Sequence, residues 1–474
     1  MLGRNILAVY PHRRKGSEVR FTPPIGIEYV MAAVQDLVDE ITIVDMRQED
    51  EYDLNRFIDA KTDCVCISLN WRPSGAENGV VPELELINRL PADMLTIVGG
   101  RWATLNVDAV FEQCPNVDVV VKGDGEETLR ALALSSSPAD VDGLSWRVDG
   151  VVHHNAVRRF APLSETIYPN RALRRYVYRA TTRGIDLGVT MDSLLSSRGC
   201  PFNCKFCSYN TDTFGRRRPW EPRSPESVVA ELRTVDAEVV LFTDNNFCVD
   251  MDRVEAICDL LIRENIRKIY AVEARIEIAR RPDVLAKMAR AGFRIIMLGL
   301  ESACDESLEL LNKGFTIADV RAAFEVLRRF RFVLAGFFIV GNIGESQRDM
   351  LRMSGFAREI GVDFISLSYL RVDPGSSLEE VVRQTPGYHV GTDRRARVYS
   401  DSCSFRDLRV VKRALNRDFY FSTHMLRSLR RGINAGLVTP RQLASVLRSA
   451  VVLALRRLLR KRLGSRLELG GDRR

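Results

Sequence analysis

The sequence predicts an α/β protein in three parts: a doubly wound parallel sheet, a second run of β/α units forming a partial barrel, and a helical tail. Three observations carry this. Short β-branched runs alternate with helical patterns in two separate series, the alternation lapses between about residues 141 and 187, and strands cease after about Tyr399. At 474 residues the chain also exceeds one ordinary core, so two or three domains are expected.

Taken in order, the first series places strands at 5–10, 41–45, 63–69, 94–98 and 117–121, with helical stretches such as 25–37 and 80–90 between them. Such alternation marks a parallel, doubly wound sheet. Turn glycines follow the fourth and fifth strands, as Gly99-Gly100 and Gly123-Asp124-Gly125-Glu126. Ligands in these folds sit at the carboxyl ends of the strands, where those glycines fall. Residues 143–152 read as a small hairpin turning at Asp149-Gly150, inside a connection between domains. The second series places strands at 193–197, 238–244, 268–275, 294–302, 333–341 and 363–372. Each interval leaves room for one crossover helix, and six units make a partial (β/α)6 barrel. The chain therefore divides into 1–140, a linker with its hairpin at 141–187, the barrel at 188–400 and a helical, Arg-rich region at 401–474.

Composition narrows the function. The balance of 69 basic to 62 acidic residues gives +7, but much of the excess lies in Arg-rich stretches after about position 405, so no nucleic-acid partner is indicated. The first apolar run, 5–10, is cut short by Pro11 and reads as a strand, not a leader, and no window of roughly 18 uncharged apolar residues appears. A cytoplasmic protein is expected. In that setting ten cysteines point to thiols, metal ligation or catalysis in place of a disulfide framework.

The sharpest motif is Ser197-Arg198-Gly199-Cys200-Pro201-Phe202-Asn203-Cys204-Lys205-Phe206-Cys207, placed just after the first strand of the second series. Its Cys-x3-Cys-x2-Cys spacing can hold three corners of an iron–sulfur cubane and leave the fourth iron open to a ligand. A structural zinc site would need a fourth Cys or His, and none lies close by in sequence. An electron-transfer cluster normally takes four cysteines. Polar residues also stand where later strands should end, as Thr243-Asp244-Asn245-Asn246, Glu273-Ala274-Arg275 and Gly299-Leu300-Glu301-Ser302. Each alone could be a helix cap or a surface ion pair; together they line up at one end of a barrel.

With these residues the sequence resembles the radical S-adenosylmethionine (SAM) superfamily. The resemblance implies a 4Fe-4S cluster on Cys200, Cys204 and Cys207 that cleaves SAM to a 5'-deoxyadenosyl radical. It further implies that Phe206 packs near the adenine and Asp244 lies near the methionine amino group, while Glu273, Arg275, Glu301 and Ser302 line the SAM pocket. Residues 336–345 look like the family's last adenine-contacting strand and turn.

The first segment resembles the cobalamin-binding domain fused ahead of many such enzymes, through residues 23–29, 43–45, 98–104 and 117–126. That likeness implies cobalamin against Gly99, Gly100, Gly123, Gly125 and Glu126. The Asp-x-His-x-x-Gly signature of proteins that ligate cobalt through His is absent, and His12 has the wrong spacing to replace it. Many fused radical SAM proteins also lack it.

Residues 213–225 and Asp418-Phe419-Tyr420-Phe421 are similar to the branch holding the anaerobic magnesium-protoporphyrin ester cyclase and hopanoid methylases. The reaction this implies is methylation of an unactivated carbon of a small-molecule or lipid substrate, with electrons from a flavodoxin or ferredoxin. Oxidative cyclisation or ring rearrangement is the alternative, and a non-catalytic iron–sulfur redox or binding protein is a second. Finally, 446–463 combines an apolar block with Arg456, Arg457, Arg460, Lys461 and Arg462, a pattern for packing on the barrel or for peripheral membrane contact.

Overall fold

The computed structural model describes residues 2–12, 22–70, 81–160, 162–182, 185–208, 216–373, 376–391, 396–440, 442 and 444. The basic segment 446–463 lies outside the described residues.

The amino-terminal sheet holds β1 (Asn5–Tyr10), β2 (Glu40–Asp45), β3 (Cys64–Ser68), β4 (Leu95–Gly99), β5 (Val119–Val121), β6 (Leu144–Val148) and β7 (Val151–His154) in the order β2-β1-β3-β4-β5-β6-β7. The first five are parallel. Alternate residues of each strand enter different cores: Leu7, Val9, Val65, Ile67 and Val98 face one, while Ile6, Ala8, Cys64, Cys66 and Ile97 face the other. Both faces are thus apolar, as a sheet covered on each side requires. Helices α1 (Ile25–Ala32), α2 (Pro82–Asn88), α3 (Arg101–Leu105), α4 (Val107–Gln113) and α5 (Gly125–Leu134) provide that cover.

Two expectations change here. The hairpin forms, but β6 pairs antiparallel with β5, so it extends this sheet instead of bridging domains. Helix α1 ends at Ala32, where 25–37 was expected, because Val34 and Leu37 donate to carbonyls only three residues back and wind the chain into turns.

The second sheet runs β8 (Arg179–Thr182), β9 (Ile185–Leu194), then β12 (Val239–Phe242), β13 (Ile269–Ala274), β14 (Phe293–Glu301), β15 (Val333–Val340) and β16 (Phe364–Tyr369), with β10 (Ser197–Arg198) and β11 (Glu221–Pro222) as a separate two-stranded ribbon. Its order is β16-β15-β14-β13-β12-β9-β8, six parallel strands with antiparallel β8 on the edge. Crossovers carry α6 (Pro225–Leu232), α7 (Met251–Arg263), α8 (Pro282–Ala291), α9 (Asp305–Leu310), α10 (Ile317–Leu327) and α11 (Gln347–Ile360). Their buried faces and the strands' outer faces make one continuous core. Beyond lie α12 (Leu378–Gln384), the ribbon β17 (Tyr388–Val390) and β18 (Val398–Ser400), α13 (Phe405–Tyr420) and α14 (His424–Asn434). Among the described residues no helix is long and apolar enough to cross a membrane.

Candidate active site

The cysteine loop leaves and rejoins the fold through the β10/β11 ribbon. Gly199, with φ +76°, begins it, and a Cβ there would lie 2.1 Å from the Pro219 carbonyl oxygen, so only glycine lets the two arms approach. Within the loop Lys205 donates to the Leu311 carbonyl at 3.0 Å, Asn312 donates to the Asn203 carbonyl at 2.7 Å, and Cys207 closes on the Cys204 carbonyl at 3.1 Å. The loop is thereby fixed to the segment after α9. Cys200, Cys204 and Cys207 are partly exposed thiols without disulfide partners. Burial raises the Cys200 pKa above the ordinary thiol value.

Arg275, just past β13, organises one side. Its Nη1 lies 3.6 Å from Cys204 Sγ, its Nη2 donates to Glu277 at 2.8 Å and to the Lys313 carbonyl, and its guanidinium stacks 3.9 Å from the Phe202 ring centre. Lys313 pairs with Glu301 at 3.1 Å and stands 5.7 Å from the Phe206 ring centre. Two cations therefore border a loop of three thiols, which suits ligands that must become thiolates. Among the described residues no group of three or more His, Cys, Asp and Glu side chains is gathered as around a single ion. A cubane takes its thiolates at separate iron corners, and the donor set fits it.

The strand ends gather the other expected residues. Glu273 is exposed at its tip yet set deep enough that burial, then Glu301 and Asp244, raise its carboxyl to about 7. Glu301 is buried at φ +65°, next to a register shift in the β14/β15 pairing. Ser302 donates to Glu345 and accepts from the Cys304 amide at 3.0 Å. Asn342 donates to the Glu301 and Ile339 carbonyls and to Glu345, leaving its own buried Oδ1 without a partner among the described residues. An unmet acceptor at this turn fits a ligand that donates hydrogen bonds, as an adenine amine does.

Asp244 lies near enough to Glu273 to raise its carboxyl. Its carboxylate accepts from the Ser196 amide at 2.8 Å and from the Ser196 and Ser197 hydroxyls, each at 2.6 Å, against the burial that raises its pKa. These bonds draw Ser196 and Ser197 out of the ladder. They also explain why β9 ends at Leu194, short of the expected 193–197 strand. Asp244 thus positions the approach to the cysteine loop.

A second cavity, about 660 Å³, opens between the first sheet and that same approach. Gly99, Gly100, Gly123, Gly125 and Glu126 line it, opposite Leu195, Arg198 and Gly199. Gly123 has φ +81°, and nothing stands within 4 Å of where its Cβ would be, so the backbone offers open room to a large ligand. Glu126 is occupied by Arg198, whose Nη1 donates to it at 3.4 Å, while Arg218 pairs with Asp124 at 2.7 Å. These pairs tie the glycine turn to the cysteine loop. His12 is buried 3.6 Å from Glu83 and is not among the residues lining the cavity.

Sequence reasoning did not single out Arg198, Arg218, Asp124 or Lys313, whereas Asn342 lies in the 336–345 stretch expected at the adenine. Arg198 carried a signal, since it stands two residues before Cys200. Lys313 carried none, because only the return of the chain after α9 brings it to the loop.

The radical SAM superfamily model matches residues 194–357, and the B12 binding domain model matches residues 19–133. An uncharacterized methyltransferase, PH0819, of Pyrococcus horikoshii is 26% identical over 370 residues, covering 76% of this chain and 78% of that protein. The anaerobic magnesium-protoporphyrin IX monomethyl ester cyclase of Rubrivivax gelatinosus is 24% identical, covering 62% and 54%. The hopanoid C-3 methylase of Methylococcus capsulatus is 27% identical, covering 66% and 60%. This chain therefore spans between about half and four fifths of these relatives. In fold it matches the radical SAM methyltransferase TsrM of Kitasatospora setae with a TM-score of 0.65 at 17% identity, over 92% of this chain and 89% of that one. The chain is a radical SAM enzyme with an amino-terminal B12-binding domain, and its cofactors are a 4Fe-4S cluster, SAM and cobalamin.

Proposed function

We propose that the enzyme methylates an unactivated carbon of a small-molecule or lipid substrate. One observation carries this reading: the cavity lined by Gly99, Gly100, Gly123 and Gly125 is also lined by Arg198 and Gly199, which run straight into Cys200. A cofactor there would stand beside the cysteine loop. When bound, the cluster with SAM supplies a 5'-deoxyadenosyl radical, and cobalamin carries the methyl group.

The chain's own residues do the rest. Cys200, Cys204 and Cys207 would hold the cluster, and Arg275 would steady Cys204 while screening charge on its sulfur. Phe206 offers a face to the adenine. Glu273 meets the SAM ammonium, which draws its carboxyl back to the charged form. Glu301, held by Lys313, and Ser302, held by Glu345, shape the pocket wall. Gly99, Gly100, Gly123 and Gly125 admit cobalamin, whereas Glu126 contributes by fixing Arg198. An external flavodoxin or ferredoxin type donor supplies electrons, and ten unbridged thiols suit a reducing cytoplasm.

The cyclase relative supports oxidative cyclisation as the second reading. Anaerobically reconstituted enzyme given SAM with a trideuterated methyl group, reductant and a cell extract separates the two. A product bearing the label is expected; a product that lost hydrogen without gaining label would replace methylation by cyclisation.

A further inference from the structure

Helix α14 turns its small and polar side inward and its large apolar side outward. His424, Ser428 and Gly432 are buried, and His424 Nε2 donates to the Val362 carbonyl oxygen at 2.6 Å. Leu426, Leu429 and Ile433 follow at three- and four-residue spacing on the opposite side and are 70%, 52% and 52% exposed. Phe421, in the turn before the helix, is 89% exposed. Water would favour the reverse arrangement, so an apolar row of this length marks a contact surface.

The charges around it define the partner. From Phe419 to Leu467 the sequence contains no Asp or Glu and eleven Lys and Arg. Arg427 and Arg430 are exposed on α14 itself, beside the apolar row. A second copy of this chain would bring the same uncompensated cations to the contact. An anionic lipid surface brings what both halves of the helix lack, acyl chains for the row and phosphates for the arginines. We propose that α14 docks flat on an anionic membrane, with Phe421, Leu426, Leu429 and Ile433 at the acyl boundary and Arg427 and Arg430 among the headgroups. The inference goes beyond the proposed reaction and does not depend on it.

The test is flotation of the reconstituted full-length protein with vesicles of phosphatidylcholine alone or mixed with phosphatidylglycerol. The parent is expected to float with the mixed vesicles about tenfold more than with neutral ones, and salt should reduce this. The variant carrying Leu426→Gln, Leu429→Gln and Ile433→Gln should lose most of that binding while cleaving SAM as the parent does. Arg427→Gln with Arg430→Gln should lose the preference for anionic vesicles. A parent that does not float, or a triple variant that floats equally well, overturns the proposal. So does a parent dimer in light scattering that the triple variant dissolves, which makes a second copy the partner. Shielding of Leu429→Cys from a maleimide without vesicles overturns it too, because the chain's own carboxy-terminal segment would then cover the row.

Discussion

Glu273 holds a proton in the ligand-free protein at pH values where the unfolded chain has lost it, because its carboxyl sits at about 7 against roughly 4.3 unfolded. The native state binds the extra proton, so the stabilising contribution is complete below about pH 4 and is lost as pH rises toward 7. Glu273→Gln is expected to flatten this decline in urea midpoints measured from pH 5 to 7.5. SAM affinity should rise through pH 7 in the parent and not in the variant, as isothermal titration can check. Arg275 makes a different kind of demand. Its planar fork reaches Glu277, the Lys313 carbonyl and Cys204 at once, which lysine cannot do. Arg275→Lys should lower SAM cleavage about tenfold or more, read as 5'-deoxyadenosine formed. The strand-end residues were legible in the sequence because a carboxylate closing an apolar run is conspicuous. Lys313 was not, since it reaches the site from a turn whose course the sequence does not fix. Asp244 was legible in place, but its bonds to Ser196 and Ser197 were not, because those hydroxyls look like ordinary loop polarity in sequence.

At the scale of elements, alternation of apolar runs located both parallel sheets, and the Cys spacing located the loop. Pairing partners were harder to read. The hairpin turn at Asp149-Gly150 is a local signal, whereas the attachment of β6 to β5 depends on an edge that only the assembled sheet presents. The anchors between the two sheets were also hidden. Arg223, with no exposed side-chain surface, donates to Glu231 at 2.5 Å and to Tyr29 of α1 at 3.2 Å, and Arg174 joins Glu28 of α1 to Asp192 of β9. The Arg174–Glu28 ion pair and the Arg223–Tyr29 hydrogen bond join segments far apart in sequence. Removing one partner leaves a buried charge underpaired, so Arg223→Met should cost about 3 kcal/mol in chemical denaturation. In the cysteine loop, Gly199→Ala sets a Cβ against the Pro219 carbonyl and should sharply reduce the iron and sulfide retained after reconstitution.

Across the whole molecule, the glycine turn of one sheet and the cysteine loop of the other are joined by Arg198 with Glu126 and Arg218 with Asp124. All four residues line the cavity between them. Arg198→Gln is therefore expected to weaken cobalamin retention, measured by absorbance after gel filtration, while cluster content stays close to that of the parent. The account as a whole depends on three cysteines carrying a cluster able to cleave SAM. The most direct measurement compares 5'-deoxyadenosine formation by the parent and by Cys204→Ala, both reconstituted anaerobically with iron, sulfide and hydroxocobalamin and then reduced. The parent should form it and the variant should not; equal yields from both would contradict the account.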